Sequence, residues 1–107
     1  MTIIGKQLAD GQLANAEADL YVCPAGTRVF IKSIICTNVH AANSNTIRLY
    51  LKPSAGTSRR LCNIPLAYDE QLFFNEPIVL DAADAIRGYA TNATEVDYVI
   101  DGATEVV

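Results

Sequence analysis

The run from Leu20 to Asn38, LYVCPAGTRVFIKSIICTN, constrains the fold of this chain more than any other segment. Two stretches rich in β-branched and aromatic residues flank Pro24-Ala25-Gly26. Proline presets φ for a tight turn and glycine relieves crowding just after it, so this tripeptide predicts a β-turn. The stretch after the turn, from Arg28 to Asn38, is β-rich and long enough to cross a small sandwich.

The strand after this turn is apolar on both of its faces, with Lys32 as the main exception. Simple alternation predicts that the two faces are Val29, Ile31 and Ile35, and Phe30, Ile34 and Cys36. A strand that is apolar on both sides is either central in a sheet or covered by a neighbouring subunit. We therefore expect one face to lie in the core and the other to lie against a companion sheet or subunit.

Later segments show the same β character. Residues 46–52 alternate, and we expect Ile47, Leu49 and Leu51 to point inward. The segment 95–101 alternates as well, with an expected inward set of Val96, Tyr98 and Ile100. Residues 66–74 fit either one turn of helix or the entry to a strand.

Turn residues recur at intervals of roughly 8–12 residues along the chain, which is typical of antiparallel sandwiches and barrels. The sequence predicts an all-β, single-domain antiparallel β-sandwich, jelly-roll-like, with seven to nine short strands across residues 1–107. Residues 1–15 are a candidate extended N-terminal arm that could pair with a partner's sheet.

Composition excludes several classes of function. The net charge is −4, and the eight Lys and Arg residues are scattered along the sequence, which argues against nucleic acid and anionic membranes as partners. No apolar stretch approaches the ~20 residues of a spanning helix. The N-terminus lacks the pattern of a secretory signal, and Cys23, Cys36 and Cys62 have no C-x-x-C spacing, so we expect reduced cysteines and synthesis in a host cytoplasm.

Catalytic and metal-binding patterns are weak. His40 is the only histidine, and a lone loop histidine is far more often a solvated surface residue than a catalytic base. Asp81, Asp84 and the carboxylates near the C-terminus could in principle serve calcium binding or glycoside hydrolysis, but turns and a wet strand face account for them better. We predict no catalytic residue, no metal site and no cofactor.

Aromatic and apolar residues outside the core predict an interaction surface. The candidate interface residues are Phe30, Ile34, Tyr50, Phe73, Phe74 and Tyr89. Exposed aromatics suit either a ligand platform or a subunit interface, and the scarcity of charge on several strands favours the interface. The one basic pair, Arg59-Arg60, is either a solvated strand end or a contact for an anion or acidic partner.

Two elements of the chain resemble small virion proteins of tailed bacteriophages. The first is Leu20-Tyr21, then the Pro24-Ala25-Gly26 turn, then an apolar strand with Ser33-Ile34 and Asn38. The second is EPIVLD at residues 76–81 followed by AADAIR at 82–87, with alanine at position 83 where such proteins usually have glycine. The resemblance covers roughly residues 18–101.

This resemblance implies a non-enzymatic virion structural protein. Capsid decoration (cement) is the first expectation: a homo-oligomer, with a trimer favoured, that stabilises the shell by binding the major capsid protein or another virion protein. The alternative is a neck, tail or fibre-associated module that binds a host glycan or another virion protein. The absence of tryptophan counts against glycan binding.

Overall fold

A computed structural model describes residues 3–107, and nine β-strands but no helix occur in that range. The strands are β1 Ile3–Gln12, β2 Ala18–Val22, β3 Thr27–Asn38, β4 Asn45–Lys52, β5 Arg59–Leu66, β6 Gln71–Phe74, β7 Ile78–Leu80, β8 Ala85–Tyr89 and β9 Val96–Val106. Residues 66–74, which were ambiguous from sequence, form the end of β5, a turn at Tyr68-Asp69 and then β6.

The strands form two antiparallel sheets. Sheet A has the order β1-β9-β3-β6, with β7 also paired to β3, and sheet B has the order β2-β8-β4-β5. Both β6 and β7 lie along the same edge of β3, and Pro77, which cannot donate a backbone hydrogen bond, precedes the second of them. If β6 and β7 are taken as one interrupted strand, the molecule is an eight-stranded jelly roll, so the predicted all-β sandwich is confirmed.

The Pro24-Ala25-Gly26 turn carries the chain from sheet B to sheet A. Gly26 has φ 75°, a left-handed conformation that glycine adopts without strain. The Thr27 hydroxyl donates to the Pro24 carbonyl oxygen at 2.7 Å. The turn therefore closes one edge of the sandwich, because the strands on its two sides belong to different sheets.

A β-bulge at Lys32 changes which side chains of β3 point inward. The β3–β9 register shifts between Ile31 and Ser33, so Lys32 has no partner on β9. One extra residue reverses the alternation from that point on. The fully buried side chains are consequently Val29 and Ile31 before the bulge, and Ile34 and Cys36 after it. The two faces expected from simple alternation were wrong, since each combined inward and outward residues.

Gly102 lies opposite this bulge. A Cβ at this position would stand 2.2 Å from the carbonyl oxygen of Phe30, so no larger residue fits without moving β3 away from β9. The glycine does not end the strand, because β9 runs without interruption from Val96 to Val106. The contact lets the two central strands of sheet A approach closely where the register changes.

The core lies between the sheets, as alternation in β4 and β9 predicts. Ile47 and Leu49 from β4, and Val96 and Ile100 from β9, have no exposed surface. Tyr98 is buried to 9% exposure. The sandwich measures 47 × 27 × 19 Å, and its short dimension matches two sheets packed about 10 Å apart.

The N-terminal segment forms an edge strand. Residues Ile3–Gln12 pair with β9 of the same chain, and the other edge of this strand has no partner within the described residues. Met1 and Thr2, the start of the segment predicted as an arm, lie outside the described residues. Pairing of residues 1–15 with another chain remains a prediction.

Candidate assembly interface

One end of the sandwich holds a polar network around Glu95. Asn45, which is buried, donates to Glu95 Oε1 at 3.1 Å, and Asn43 donates to both carboxylate oxygens at 3.3–3.4 Å. The hydrogen bond from Asn45, supported by Asn43 and the nearby His40, lowers the pKa of Glu95 although partial burial opposes this. Asn38, also buried, donates to the carbonyl oxygens of Asn43 and Leu66.

His40 orders a loop at this end of the sandwich. Its Nδ1 accepts the backbone N–H groups of Ala42 at 3.1 Å and Asn43 at 2.9 Å. Its Nε2 lies 3.7 Å from Glu95 Oε2. The histidine was expected to be a solvated loop residue, but the structure gives it defined backbone partners.

The candidate carboxylates have local partners. Asp84 accepts the backbone N–H groups of Asp81 at 3.1 Å and Ser54 at 2.9 Å, which is the turn-forming role expected for aspartate. Asp81 pairs with Arg28 at 3.1 Å. Among residues 3–107, no group of three or more His, Cys, Asp or Glu side chains is arranged to hold a metal ion.

The three thiols are free. Burial raises the pKa of the Cys36 thiol to about 12, with a smaller contribution from Cys62, so this thiol stays protonated at neutral pH. Burial also raises the pKa of Cys62, which is only half-buried. No helix in the described part of the chain is long and apolar enough to span a membrane.

The outer surface of sheet A carries an apolar patch, here called the apolar face. It consists of Phe30, Ile35, Phe73, Val79 and Val99. Ile35 lies between Phe73 on β6 and Val99 on β9, and Phe30 lies between Val79 on β7 and Ala103 on β9. The side chains form two cross-strand rows, and both edge residues are open, with Phe73 55% and Val79 53% exposed.

Two of the predicted interface residues lie on this face and two do not lie on any outer surface. Phe30 and Phe73 point outward from sheet A. Ile34 is 0% exposed in the core, so its assignment to an interface was wrong, and the bulge at Lys32 is the reason. Phe74 pairs with Ile34 and packs against the core from the same side.

Ile35, Val79 and Val99 belong to the apolar face although the sequence did not identify them. Ile35 was assigned to the opposite side of β3 because the bulge was not anticipated. The alternation of β9 does contain the signal for Val99, since this residue lies between the buried Tyr98 and Ile100.

The outer surface of sheet B has a different chemistry and is here called the cationic face. It consists of Arg48, Tyr50, Arg60, Arg87 and Tyr89. Arginine and tyrosine alternate across the strands, because Tyr50 lies between Arg60 on β5 and Arg87 on β8, and Arg48 lies beside Tyr89. The tyrosine rings stack with centroids 6.1 Å apart and planes 8° apart. The Arg48 guanidinium lies 5.3 Å from the Tyr89 ring centroid.

The basic residues are scattered in sequence but gathered in space. Five of the eight lie on strands of sheet B: Arg48, Lys52, Arg59, Arg60 and Arg87. Arg87 is neutralised by Glu17 and Asp19, each at 2.9 Å. Within the described residues the other four form no ion pair.

Comparison with known proteins identifies the fold. A chain from the Bacillus endospore appendages, a family of disulfide-linked pili, superimposes with a TM-score of 0.64 at 14% identity, over 99% of this chain and 89% of that chain. A chain from the acid-stable capsid of Helicobacter pylori bacteriophage KHP30 superimposes with a TM-score of 0.54 at 13% identity, over 99% and 90%. No protein-family model and no curated protein matches the chain.

Proposed function

We propose that this protein is a non-enzymatic structural subunit of a virion that works by assembling with other chains through the apolar face of sheet A. The observation that carries this proposal is the pair of uninterrupted apolar rows on an outer surface, ending at Phe73 and Val79, each more than half exposed. Large side chains in contiguous rows on an outer sheet surface mark an interaction site. Single exposed apolar residues would not carry the same weight.

The two solved structures support an assembling role. One comes from disulfide-linked pili and the other from a phage capsid. The chain in the phage capsid is nearly the same length as this one, since the superposition spans almost all of both. Cys23 and Cys36 are buried, so neither is placed to form a disulfide between subunits.

Within this role, capsid decoration is the specific function we propose. A protein of this size would bind the major capsid protein as a homo-oligomer, with a trimer favoured, and would stabilise the shell. The apolar face would be covered in that complex, and the free edge of β1 is available for pairing with a neighbouring strand.

The experiment is to measure the mass of the purified protein by sedimentation and to mix it with virions stripped of it. We expect a discrete oligomer that co-sediments with the shell and that cryo-electron microscopy locates on the capsid lattice. A strictly monomeric protein with no affinity for virions would rule the proposal out. Location on the neck, tail or a fibre would keep the virion role and reject decoration.

Binding of a host glycan, the alternative function, would use the tyrosines of the cationic face. The geometry does not favour it, because Tyr50 and Tyr89 stack on each other and Arg48 lies against the Tyr89 ring. A sugar platform needs an open ring surface. Binding on a glycan array that is lost in Tyr50→Ala would reverse this conclusion.

A further inference from the structure

We infer that the two outer faces of the sandwich are each other's partners: the cationic face of one copy docks on the apolar face of a second copy. This inference rests on the proposed assembling role and specifies the partner of the apolar face. The contact is heterologous, meaning that each copy uses two different surfaces.

Acidic side chains accompany the apolar rows. Asp97 and Asp101 precede and follow Val99 on the outward side of β9, and Asp10 on β1 pairs directly with Val99. None of the three forms an ion pair within residues 3–107. Gln12 donates to Asp97 at 3.0 Å and Gln7 donates to Asp10 at 2.8 Å. Carboxylates therefore border the apolar face at Asp10 and Asp97, whereas Asp101 shares a surface recess with Lys6 and Lys32.

The cationic face offers the complementary groups. Arg48 and Arg60 have no carboxylate partner in the described structure, and Arg60 is exposed. Tyr50 and Tyr89 place stacked rings between the arginines. Tyrosine and arginine are the residue types enriched where protein surfaces meet, since they combine apolar area with directed polar groups.

Charge explains why the contact joins unlike faces. Apolar faces packed against each other would bring together the Asp10 and Asp97 carboxylates that border them. Cationic faces packed against each other would do the same with Arg48 and Arg60. Like charges brought together in a contact cost several kcal/mol, whereas opposite potentials steer and align the partners.

The faces are large enough for a stable contact. The long dimensions of the sandwich are 47 and 27 Å, and a standard interface covers about 800 Å² of each partner. A contact of this kind leaves one apolar face and one cationic face open at the ends of a dimer. Further copies can then add until a ring closes or a filament grows.

Charge exchange between two variants tests the inference. The first variant carries Arg48→Glu and Arg60→Glu, the second carries Asp97→Lys and Asp101→Lys, and each should assemble about tenfold more weakly than wild type. When the two are mixed, the reversed faces complement each other, and so do the two unaltered faces. We expect the mixture to assemble to a greater extent than either variant alone, with the two variants alternating along the assembly. Alternation fits a dimer or an even-numbered ring, whereas a ring of three must contain one mismatched contact. Glu76→Lys, a reversal in the connection between β6 and β7, is the control and should leave assembly unchanged.

Circular dichroism and thermal melting establish first that each variant is folded. Assembly that is unaffected by the arginine reversal but lost in Phe73→Asp would overturn this inference and keep the proposed assembling role. A wild-type protein that stays monomeric at all concentrations would overturn both. A mixture that assembles no better than either variant alone would also contradict the inference.

Discussion

The two outer faces of this sandwich differ although the strands beneath them have the same architecture. Each face presents rows of cross-strand neighbours, but the rows of sheet A are apolar and those of sheet B alternate arginine with tyrosine. The cationic face is partly neutralised within the chain by Glu17 and Asp19. Within residues 3–107 the apolar face stays open at Phe73 and Val79. Exposed area alone therefore does not identify a contact surface, and the chemistry of whole rows is more informative.

The largest effect is expected when a buried side chain of β3 is shortened, and a much smaller one when its outward-pointing neighbour is shortened. Ile34→Ala removes a fully buried side chain and should lower the free energy of unfolding by about 3 kcal/mol. Ile35→Ala, the neighbouring change on the apolar face, should cost less than about 1 kcal/mol because its site is partly exposed. Urea denaturation of both variants measures the difference. The reverse order would mean that the bulge at Lys32 is misplaced and that the apolar face has different members.

Acid should destabilise the protein through the polar network around Glu95, which lies at one end of the sandwich. The lowered pKa of Glu95 means that its carboxylate stabilises the fold above the pKa it has in the unfolded chain, about 4.3. This contribution is lost as the pH falls through the lower pKa of the folded state. Wild type should therefore be more stable than Glu95→Gln at pH 7, and the gap should close below pH ~4.

Thermal melting across this pH range measures the gap between wild type and Glu95→Gln. Glu76→Gln, an exposed glutamate outside the network, should show no gap at any pH. A stability difference between wild type and Glu95→Gln that stays constant with pH would show that the charge of Glu95 does not stabilise the fold.

The rates at which Cys36 and Cys62 react report how accessible the interior is beneath each face. Cys36 on β3 is fully buried with a pKa of about 12, whereas Cys62 on the edge strand β5 is half-buried. The thiolate is the reactive form, so Cys62 should react with a thiol reagent well before Cys36. Mass spectrometry of partly labelled protein gives the order. Faster labelling of Cys36 would show that sheet A opens more readily than sheet B.

The smallest effect is expected at the tyrosine stack. Arg48→Met keeps the aliphatic stem but removes the charge over Tyr89, and it should lower the free energy of unfolding by about 0.5–1 kcal/mol. Lys52→Met, on the same strand but with no aromatic partner among the described contacts, should change stability less. Equal effects would mean that the contact between Arg48 and Tyr89 contributes nothing measurable.

The sequence predicted the fold well wherever alternation is regular. The inward residues of β4 and β9 follow a period of two, and the turn at Pro24-Ala25-Gly26 has a defined chemistry, so both were found. The bulge in β3 depends on how close Phe30 and Gly102 come in three dimensions, and no local pattern encodes that distance. Because the bulge was not predicted, Ile34 was assigned to the candidate interface in place of Ile35.

The cationic face could not be recognised from the sequence either. Its arginines come from β4, β5 and β8, which are separated in sequence and adjacent only in sheet B. Arg59-Arg60 was the one local sign, and a contact for an anion or acidic partner was one of the two interpretations left open for it. To predict that these charges cluster, one must know the order of the strands in the sheet, and the alternation of residues within each strand does not give that order.

Sedimentation velocity of wild type, Phe73→Asp and Tyr68→Asp tests most directly whether the apolar face drives assembly. Tyr68 is the matched control for Phe73, because both are aromatic and they are 56% and 55% exposed. Tyr68, however, lies in the turn before β6 and outside the apolar face. We expect wild type and Tyr68→Asp to form the same oligomer and Phe73→Asp to sediment as a folded monomer. An oligomer that persists in Phe73→Asp, or one lost equally in both variants, would contradict this expectation.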